Sequence, residues 1–399
     1  MGDNAIQEQD TATAQPELAE AIPPIAVSPA RRFAFVDRGD WSLLGTMLLV
    51  KALVLLAGVV SFEMIADQFI EWPHGALDIW NRWDAPHYID LARYGYEATG
   101  ERAYWLVFYP LFPWLTRLFS PLGDYVLGAF IVSTIASLVA GFLLHRLVAL
   151  DLGDELARRS VWFFYIYPTA YFLHIGYTES LFLALVLGSF LAARRDQWLL
   201  AGVCGAFACL ARVNGLLLIP CLGLEVLLRL WQTRRWDWRW LAVGLVPLGF
   251  VGYLALNYHV TGDPFAYSKL LEEKWFKSLG SPIQGIGDML RSFAWRSPTE
   301  RQMVVYHQSF FLLLGVAGAI GAAVRLRASY GLWIALNLVL ITSTSFILSA
   351  PRYSLIFFPL PILFALLARR QGWSNAITAW SLLLQAIYLG LFVVERSGY

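Results

Sequence analysis

Charge is what this sequence has least of. Its 399 residues carry 30 Lys+Arg and 29 Asp+Glu, 15% in all, where a soluble domain carries about 25%. Ten of those charges fall in the first 40 residues, leaving 49 for the other 359. Long stretches are therefore almost uncharged, which excludes an ordinary soluble domain and an intrinsically disordered chain. A net charge of +1 excludes a general attraction to nucleic acid. Cysteine is scarce too. Cys204, Cys209 and Cys221 are the only three and lie in one apolar stretch, which argues against a disulfide framework or a thiolate metal site and leaves packing as their role. What is abundant is apolar: 58% of the chain. The class is a multi-span membrane protein, all α.

The N-terminal 30 residues carry Asp3, Glu8, Asp10, Glu17 and Glu20 but no Lys or Arg. A signal peptide needs a positive start and an apolar run, so residues 1–38 read as a disordered tail. Arg31, Arg32 and Arg38 precede the first apolar run and place that tail in the cytoplasm. A crossing helix needs roughly 20 apolar residues. Candidates are 41–62, 126–150, 161–175, 177–193, 198–211, 214–230, 240–258, 304–324, 329–349, 354–368 and 374–394. The stretch 198–230 reads either as one long helix or as a hairpin at Arg212-Val213-Asn214-Gly215. Cytoplasmic loops collect Arg and Lys. Only the hairpin puts every arginine cluster, including Arg229/Arg234/Arg235/Arg239, on one side. Eleven spans follow, in one transmembrane domain over 39–399. Its long outer loops are 63–125 and 259–303, and short outer turns stand near 176–179, 212–215 and 349–353.

The first outer loop holds the densest polar pattern, Asn81-Arg82-Trp83-Asp84-Ala85-Pro86-His87-Tyr88, continuing to Gly95-Tyr96. Asp84 ahead of Pro86 predicts a helix start, and Gly95 predicts its stop. On local pattern Asp84 is either a cap or a catalytic carboxylate, and one oxygen can serve each role. Arg82 and His87 pair with an anionic phosphate or neutralise the acidic loop. No second His stands at ligand spacing from His87, so no metal is expected. The run Tyr104–Leu115 is aromatic and proline-broken, an interfacial belt or a surface for a lipid chain or sugar. Charges within apolar runs carry a cost of at least about 2.5–3.5 kcal/mol and need a reason. Lys51 either snorkels or pairs. Glu179, Arg212 and Arg352 either form a salt bridge that fixes packing or hold a substrate that combines phosphate with hydroxyls. Asp263, in Gly262-Asp263-Pro264, reads as a cap.

Taken in order, these segments resemble the phosphatidylinositol-glycan class V mannosyltransferases and their bacterial relatives. The motifs are Arg82-Trp83-Asp84…His87-Tyr88…Gly95-Tyr96, Tyr109-Pro110-Leu111-Phe112-Pro113, Pro168…Phe172…Tyr177-Thr178-Glu179-Ser180-Leu181-Phe182, Ala211-Arg212-Val213-Asn214-Gly215 and Pro351-Arg352-Tyr353. The resemblance covers roughly residues 40–395 and implies a GT-C glycosyltransferase bundle. It implies transfer of a sugar, mannose by analogy, from a polyprenyl-phosphate donor to a lipid or glycan acceptor at the outer face, with inversion. A lipid-phosphate leaving group carries no pyrophosphate, so no divalent metal or other cofactor is expected. Asp84 then takes the place of the general base. Arg352, Arg212 and Arg82 take the donor phosphate, and Trp83, His87, Tyr88, Glu179, Asn214 and Tyr353 line the substrate site. The setting implied is a bacterial plasma membrane. A transporter or flippase of a lipid-linked or anionic solute also accounts for the buried charges, but leaves the Trp-Asp loop unexplained. A noncatalytic subunit of a glycosylation complex is a third reading.

Overall fold

The computed structural model of the protein describes residues 38–396. The expected tail lies outside these residues, apart from Arg38, where the first helix begins. Among the described residues the chain is helical, with no strand beyond an isolated bridge between Leu279 and Thr344. Six helices among the described residues are long and apolar enough to cross a membrane: Gly39–Ala66, Tyr125–Leu152, Val213–Thr233, Trp238–Thr261, Pro298–Arg325 and Gln371–Val393. The first shows why. It buries Met47, Val50 and Val54 against the bundle and leaves Leu49, Leu53 and Leu56 more than half exposed. An apolar outer face of that kind suits lipid rather than water.

The remaining expected spans are shorter or broken. Ala350–Ile356 and Pro359–Leu367 form a pair bent through 85°, because Pro359 and Pro361 remove backbone donors and restrict the residues before them. Trp198–Ala211 and Ala328–Thr342 are apolar but short. The expected span at 161–175 is not one helix. Asp154–Tyr165 ends there, and the chain runs irregularly to the next helix, Glu179–Arg194, with a single 3-10 turn at Ala170–Leu173. Every residue from 163 to 178 is buried. Hydropathy alone reads such a stretch as a span. Irregular backbone at membrane depth is tolerated when protein covers it and its polar groups find partners. Here the carbonyl of His174 accepts from Lys51 Nζ at 2.7 Å and that of Tyr177 accepts from Ser133 Oγ at 3.2 Å. Lys51 neither snorkels nor meets a carboxylate in this arrangement; it ties the first helix to the buried loop.

The hairpin at 212–215 is present. Helix Trp198–Ala211 stops at Arg212, which is extended, and Val213–Leu217 continues as a 3-10 turn into Leu218–Thr233. The reversal is tight: a Cβ on Gly215 would lie 2.4 Å from the Cys209 amide nitrogen and 2.6 Å from the Ala208 carbonyl carbon. At the far end Arg229 donates to the Ala193 carbonyl at 2.9 Å and pairs with Asp196. The helix that follows the hairpin thus ends beside the turn where Glu179–Arg194 ends.

That end of the bundle gathers the arginine clusters. Arg146 pairs with Asp40 at 2.6 Å, Arg194 with Asp151 at 2.6 Å and Arg158 with Asp154 at 2.7 Å. Arg159 donates to the Ala368 carbonyl at 2.9 Å. Arg327 forks onto both oxygens of the buried Glu225 at 3.0 and 2.7 Å, and Ser329 adds a third donor. Apart from Arg158–Asp154, which lies within one helix, these contacts join different helices.

Gly215→Val introduces atoms where the chain reverses onto residues 208 and 209, and overpacking of this kind costs about 1–3 kcal/mol. Gly223, with nothing within 4 Å of a Cβ, is the control. Thermal unfolding in lipid nanodiscs should show a clearly lower midpoint for Gly215→Val and a near-unchanged one for Gly223→Ala. Equal midpoints would rule out the tight reversal.

Candidate functional site

Asp84 is placed by a strained turn. Trp83, directly before it, has φ +56°, a left-handed conformation that bulky residues adopt at a cost of about 1–3 kcal/mol when the surroundings impose it. The surroundings are firm. The Arg82 carbonyl accepts from Tyr177 Oη at 2.7 Å, and the Arg82 guanidinium meets Glu395 at 2.6 Å. Trp80 is fully buried, with its ring 6.1 Å from Phe392 and 6.4 Å from Tyr171. The helix Ala85–Tyr94 then starts at Asp84 and stops at Gly95, whose φ of +84° suits glycine.

Asp84 occupies the cap position, and its side chain caps nothing. Its backbone carbonyl accepts from His87 N at 3.1 Å, while its φ and ψ of −76° and −23° are already helical. A capping side chain needs the extended conformation. The carboxylate turns away instead, and its Oδ2 accepts from Arg352 Nη1 at 2.6 Å. Oδ1 has no protein donor among the described residues, and the side chain is 29% exposed.

Behind this pair stands a buried ionic network. Glu179 is the first residue of its helix and is fully buried, not set in an outer turn as its short loop suggested. Its Oε1 accepts from Arg352 Nε at 2.7 Å and from Arg212 Nη1 at 2.7 Å. Arg212 Nη1 also reaches Thr178 Oγ1 at 2.9 Å. The Arg352 guanidinium packs against the rings of Phe172 and Tyr177, 4.7 Å from each centroid. Stacking of this sort suits guanidinium better than ammonium. The salt-bridge reading of Glu179 is therefore what the geometry shows, with two arginines on one carboxylate. Glu179 Oε2 has no protein partner, and neither arginine has a described acceptor for Nη2.

The other expected site residues divide. Tyr353 lies inside the cluster, 5.8 Å from the Arg212 guanidinium. Tyr88 is buried, its ring edge-on to Phe108, Phe112 and Tyr177. Trp83 is 46% exposed beside Asp84. His87 stacks on Trp105 at 3.7 Å with Trp275 edge-on at 5.8 Å. Burial holds its imidazole below the ordinary value, against the opposing pull of Asp84 and Asp90. Asn214 points elsewhere, donating to Asn337 Oδ1 at 2.7 Å. Arg82 is likewise held by Glu395 rather than by the Glu179 network. The aromatic run 104–115 supplies Phe112 to the core and Trp105 to the His87 stack, so only part of it, such as Trp114, stays exposed as a belt. Asp263 Oδ1 does accept from Phe265 N at 2.9 Å, as a turn residue.

Several site residues have no motif. Lys277 stands 5.5 Å over the Tyr353 ring, and Trp275 donates to the Tyr104 carbonyl at 3.3 Å. Both come from the loop at 259–303, and Glu395 comes from the end of the described chain. Among the described residues no three His, Cys, Asp or Glu side chains gather as a metal ion requires.

Removing the shared carboxylate leaves two buried guanidinium groups short of charge, which costs about 3–5 kcal/mol. Glu179→Gln should lower the unfolding midpoint far more than Glu395→Gln, whose partly exposed pair contributes about 0–1 kcal/mol. Comparable shifts in thermal unfolding would remove Glu179 from its central place.

Residues 59–234 match the family model for mannosyltransferase (PIG-V). The chain is 31% identical over 163 residues to GPI alpha-1,6-mannosyltransferase 2 of Mus musculus, covering 38% of this chain and 32% of that protein. It is 30% identical over 162 residues to the Cricetulus griseus protein of that name, covering 38% and 31%. The matched stretch thus spans about a third of the length of these relatives. Among solved structures, ArnT from Cupriavidus metallidurans in the apo state is similar at 18% identity, over 84% of this chain and 62% of that one, with TM-score 0.48. The Archaeoglobus fulgidus oligosaccharyltransferase in the apo form is similar at 12% identity, over 88% and 56%, with TM-score 0.43. Over residues 59–234, the stretch that holds Asp84, Glu179 and Arg212, the chain is similar to the PIG-V mannosyltransferase family model.

Proposed function

We propose that the protein is a GT-C-type membrane glycosyltransferase. It moves a sugar, mannose by its family likeness, from a polyprenyl-phosphate donor onto an acceptor hydroxyl, with inversion and with Asp84 as general base. The observation that carries this reading is the Asp84 carboxylate itself. It sits at a helix start without capping it, one oxygen is held by Arg352 at 2.6 Å, and the other is open. An ion-paired aspartate that fixes its own orientation and keeps one oxygen unoccupied suits removal of a proton from an incoming hydroxyl.

In the reaction the acceptor oxygen attacks the anomeric carbon from the side opposite the phosphate, and its proton passes to Asp84 Oδ1. The bond between the anomeric carbon and the phosphate oxygen breaks with its electron pair on that oxygen. General-base assistance contributes about 10²–10⁴-fold. Fixed positive charge near the leaving phosphate acts in the same direction. The donors left over on Arg352 and Arg212, together with Arg82, are assigned to that phosphate; Trp83, Tyr88, His87 and Tyr353 bound the sugar. No cofactor enters the scheme. A lipid or glycan supplies the acceptor.

In this reading the arginine-rich end of the bundle faces the cytoplasm, together with the N-terminus, and Asp84 lies at the opposite, outer face of a bacterial plasma membrane. The family match is to mannosyltransferases, which favours transfer over transport.

Asp84→Asn keeps the size and an acceptor for Arg352 but removes the base. Purified full-length protein in nanodiscs, given polyprenyl-phosphate-mannose or polyprenyl-phosphate-glucose, should transfer one sugar at least about 10²-fold more slowly in the variant, while the variant remains folded and inserted. Undiminished transfer by folded, inserted Asp84→Asn would overturn the assignment.

A further inference from the structure

The arginines that sequence assigns to the donor phosphate are largely engaged. Arg352 and Arg212 share Glu179, and Arg352 also holds Asp84. Arg82 is paired with Glu395, and Arg102 with Glu97. Two guanidinium groups face two carboxylates in the inner cluster, so that cluster is close to neutral. Lys277 adds a charge with nothing to match it. It is half-buried, no carboxylate pairs with it among the described residues, and its ammonium stands 5.5 Å over the ring of Tyr353. Arg212 lies 5.8 Å from the same ring.

The loop that carries Lys277 is anchored to the strip leading into Pro351-Arg352-Tyr353. Ser345 N donates to the Ser278 carbonyl at 2.9 Å, Gly280 N donates to the Ser343 carbonyl at 3.0 Å, and Leu279 bridges Thr344. Two residues earlier, Trp275 inserts among His87, Trp105 and Phe108. The lysine is therefore fixed from both sides over the ionic cluster and is not a loose surface charge.

We propose that Lys277 is the principal cation for the phosphate of a lipid-linked phosphate, a binding residue on the second outer loop. The inference rests on the glycosyltransferase reading and goes further by moving the phosphate contact from the engaged arginines to this lysine. A sugar phosphodiester carries one negative charge, and the monoester released on transfer carries up to two. An unpaired ammonium, a compact point charge with three donors, gains attraction as that charge develops and so acts on departure as well as on binding.

The test uses the full-length protein in nanodiscs, with binding of a polyprenyl monophosphate, the neutral polyprenol and inorganic phosphate measured directly beside transfer. Wild type should bind the monophosphate more tightly than the polyprenol, with inorganic phosphate competing only weakly if the lipid is the source. Lys277→Gln should lose about tenfold or more of that affinity and a comparable factor in transfer. Lys277→Arg should keep most of both, and Lys274→Gln, a neighbouring lysine over Tyr104, should match wild type. If folded Lys277→Gln binds and transfers as wild type does while Asp84→Asn abolishes transfer, the lysine assignment falls and the glycosyltransferase reading stands. If wild type neither binds the monophosphate nor transfers sugar, the reading fails and takes the lysine assignment with it. Unequal loss in Lys274→Gln and Lys277→Gln in the reverse order would also overturn it.

Discussion

One buried carboxylate organises the end of the bundle that carries Asp84. Glu179 draws two arginines, from positions 33 and 173 residues away, onto a single oxygen at 2.7 Å each. Placing an unpaired guanidinium in a fully buried, ring-lined site carries a large desolvation cost, so each arginine requires the acid and the acid requires at least one of them. The demand passes outward. Arg352 has a second nitrogen to satisfy, and it does so by taking Asp84 Oδ2, 268 residues earlier in the chain. That contact turns the aspartate away from its own helix. The orientation of the Asp84 carboxylate is thus a consequence of ion-pair geometry beneath it.

The buried loop at 166–178 shows the same logic with backbone groups. Irregular chain exposes carbonyls that a helix would have satisfied internally. Lys51 and Ser133 supply donors to two of them, and Thr169 Oγ1 in turn donates to the Pro351 carbonyl at 3.0 Å. The loop therefore positions both ends of the ionic cluster: it leads directly into Thr178 and Glu179, and it touches the turn that presents Arg352. Rigidity here comes from polar groups finding partners inside an apolar bundle, where the alternative to a partner is an unsatisfied group.

Much of this was legible in local sequence, and the parts that were not have a common cause. Hydropathy located the long helices because crossing a membrane requires length and apolarity, both local properties. Arginine distribution favoured the hairpin at Arg212–Gly215, and the tight reversal at Gly215 is its physical counterpart. Hydropathy failed at 161–175 because a buried aromatic loop and a buried helix have the same composition. It also read 354–368 as one span, where the chain breaks between Ile356 and Pro359 and bends by 85°. The polar residues divided the same way. Asp84 and Glu179 stood out as charges in unusual settings. Lys277 did not, since a lysine in a polar loop is unremarkable until the loop folds over Tyr353. Asn214 looked equally polar and equally close to Arg212, yet it faces Asn337.

By itself the sequence determined the membrane class, the long helices, the end of the bundle that collects arginine and the loop that carries Asp84, because each depends on residue type and spacing over short distances. Tertiary structure decided which oxygen meets which nitrogen. It withdrew Asp84 from capping, joined Glu179 to both arginines and brought Lys277 from the second loop to the first loop's site. Those pairings depend on how helix ends pack against one another, and a charge's partner in a low-dielectric interior is whichever opposite charge packing delivers within a few ångströms.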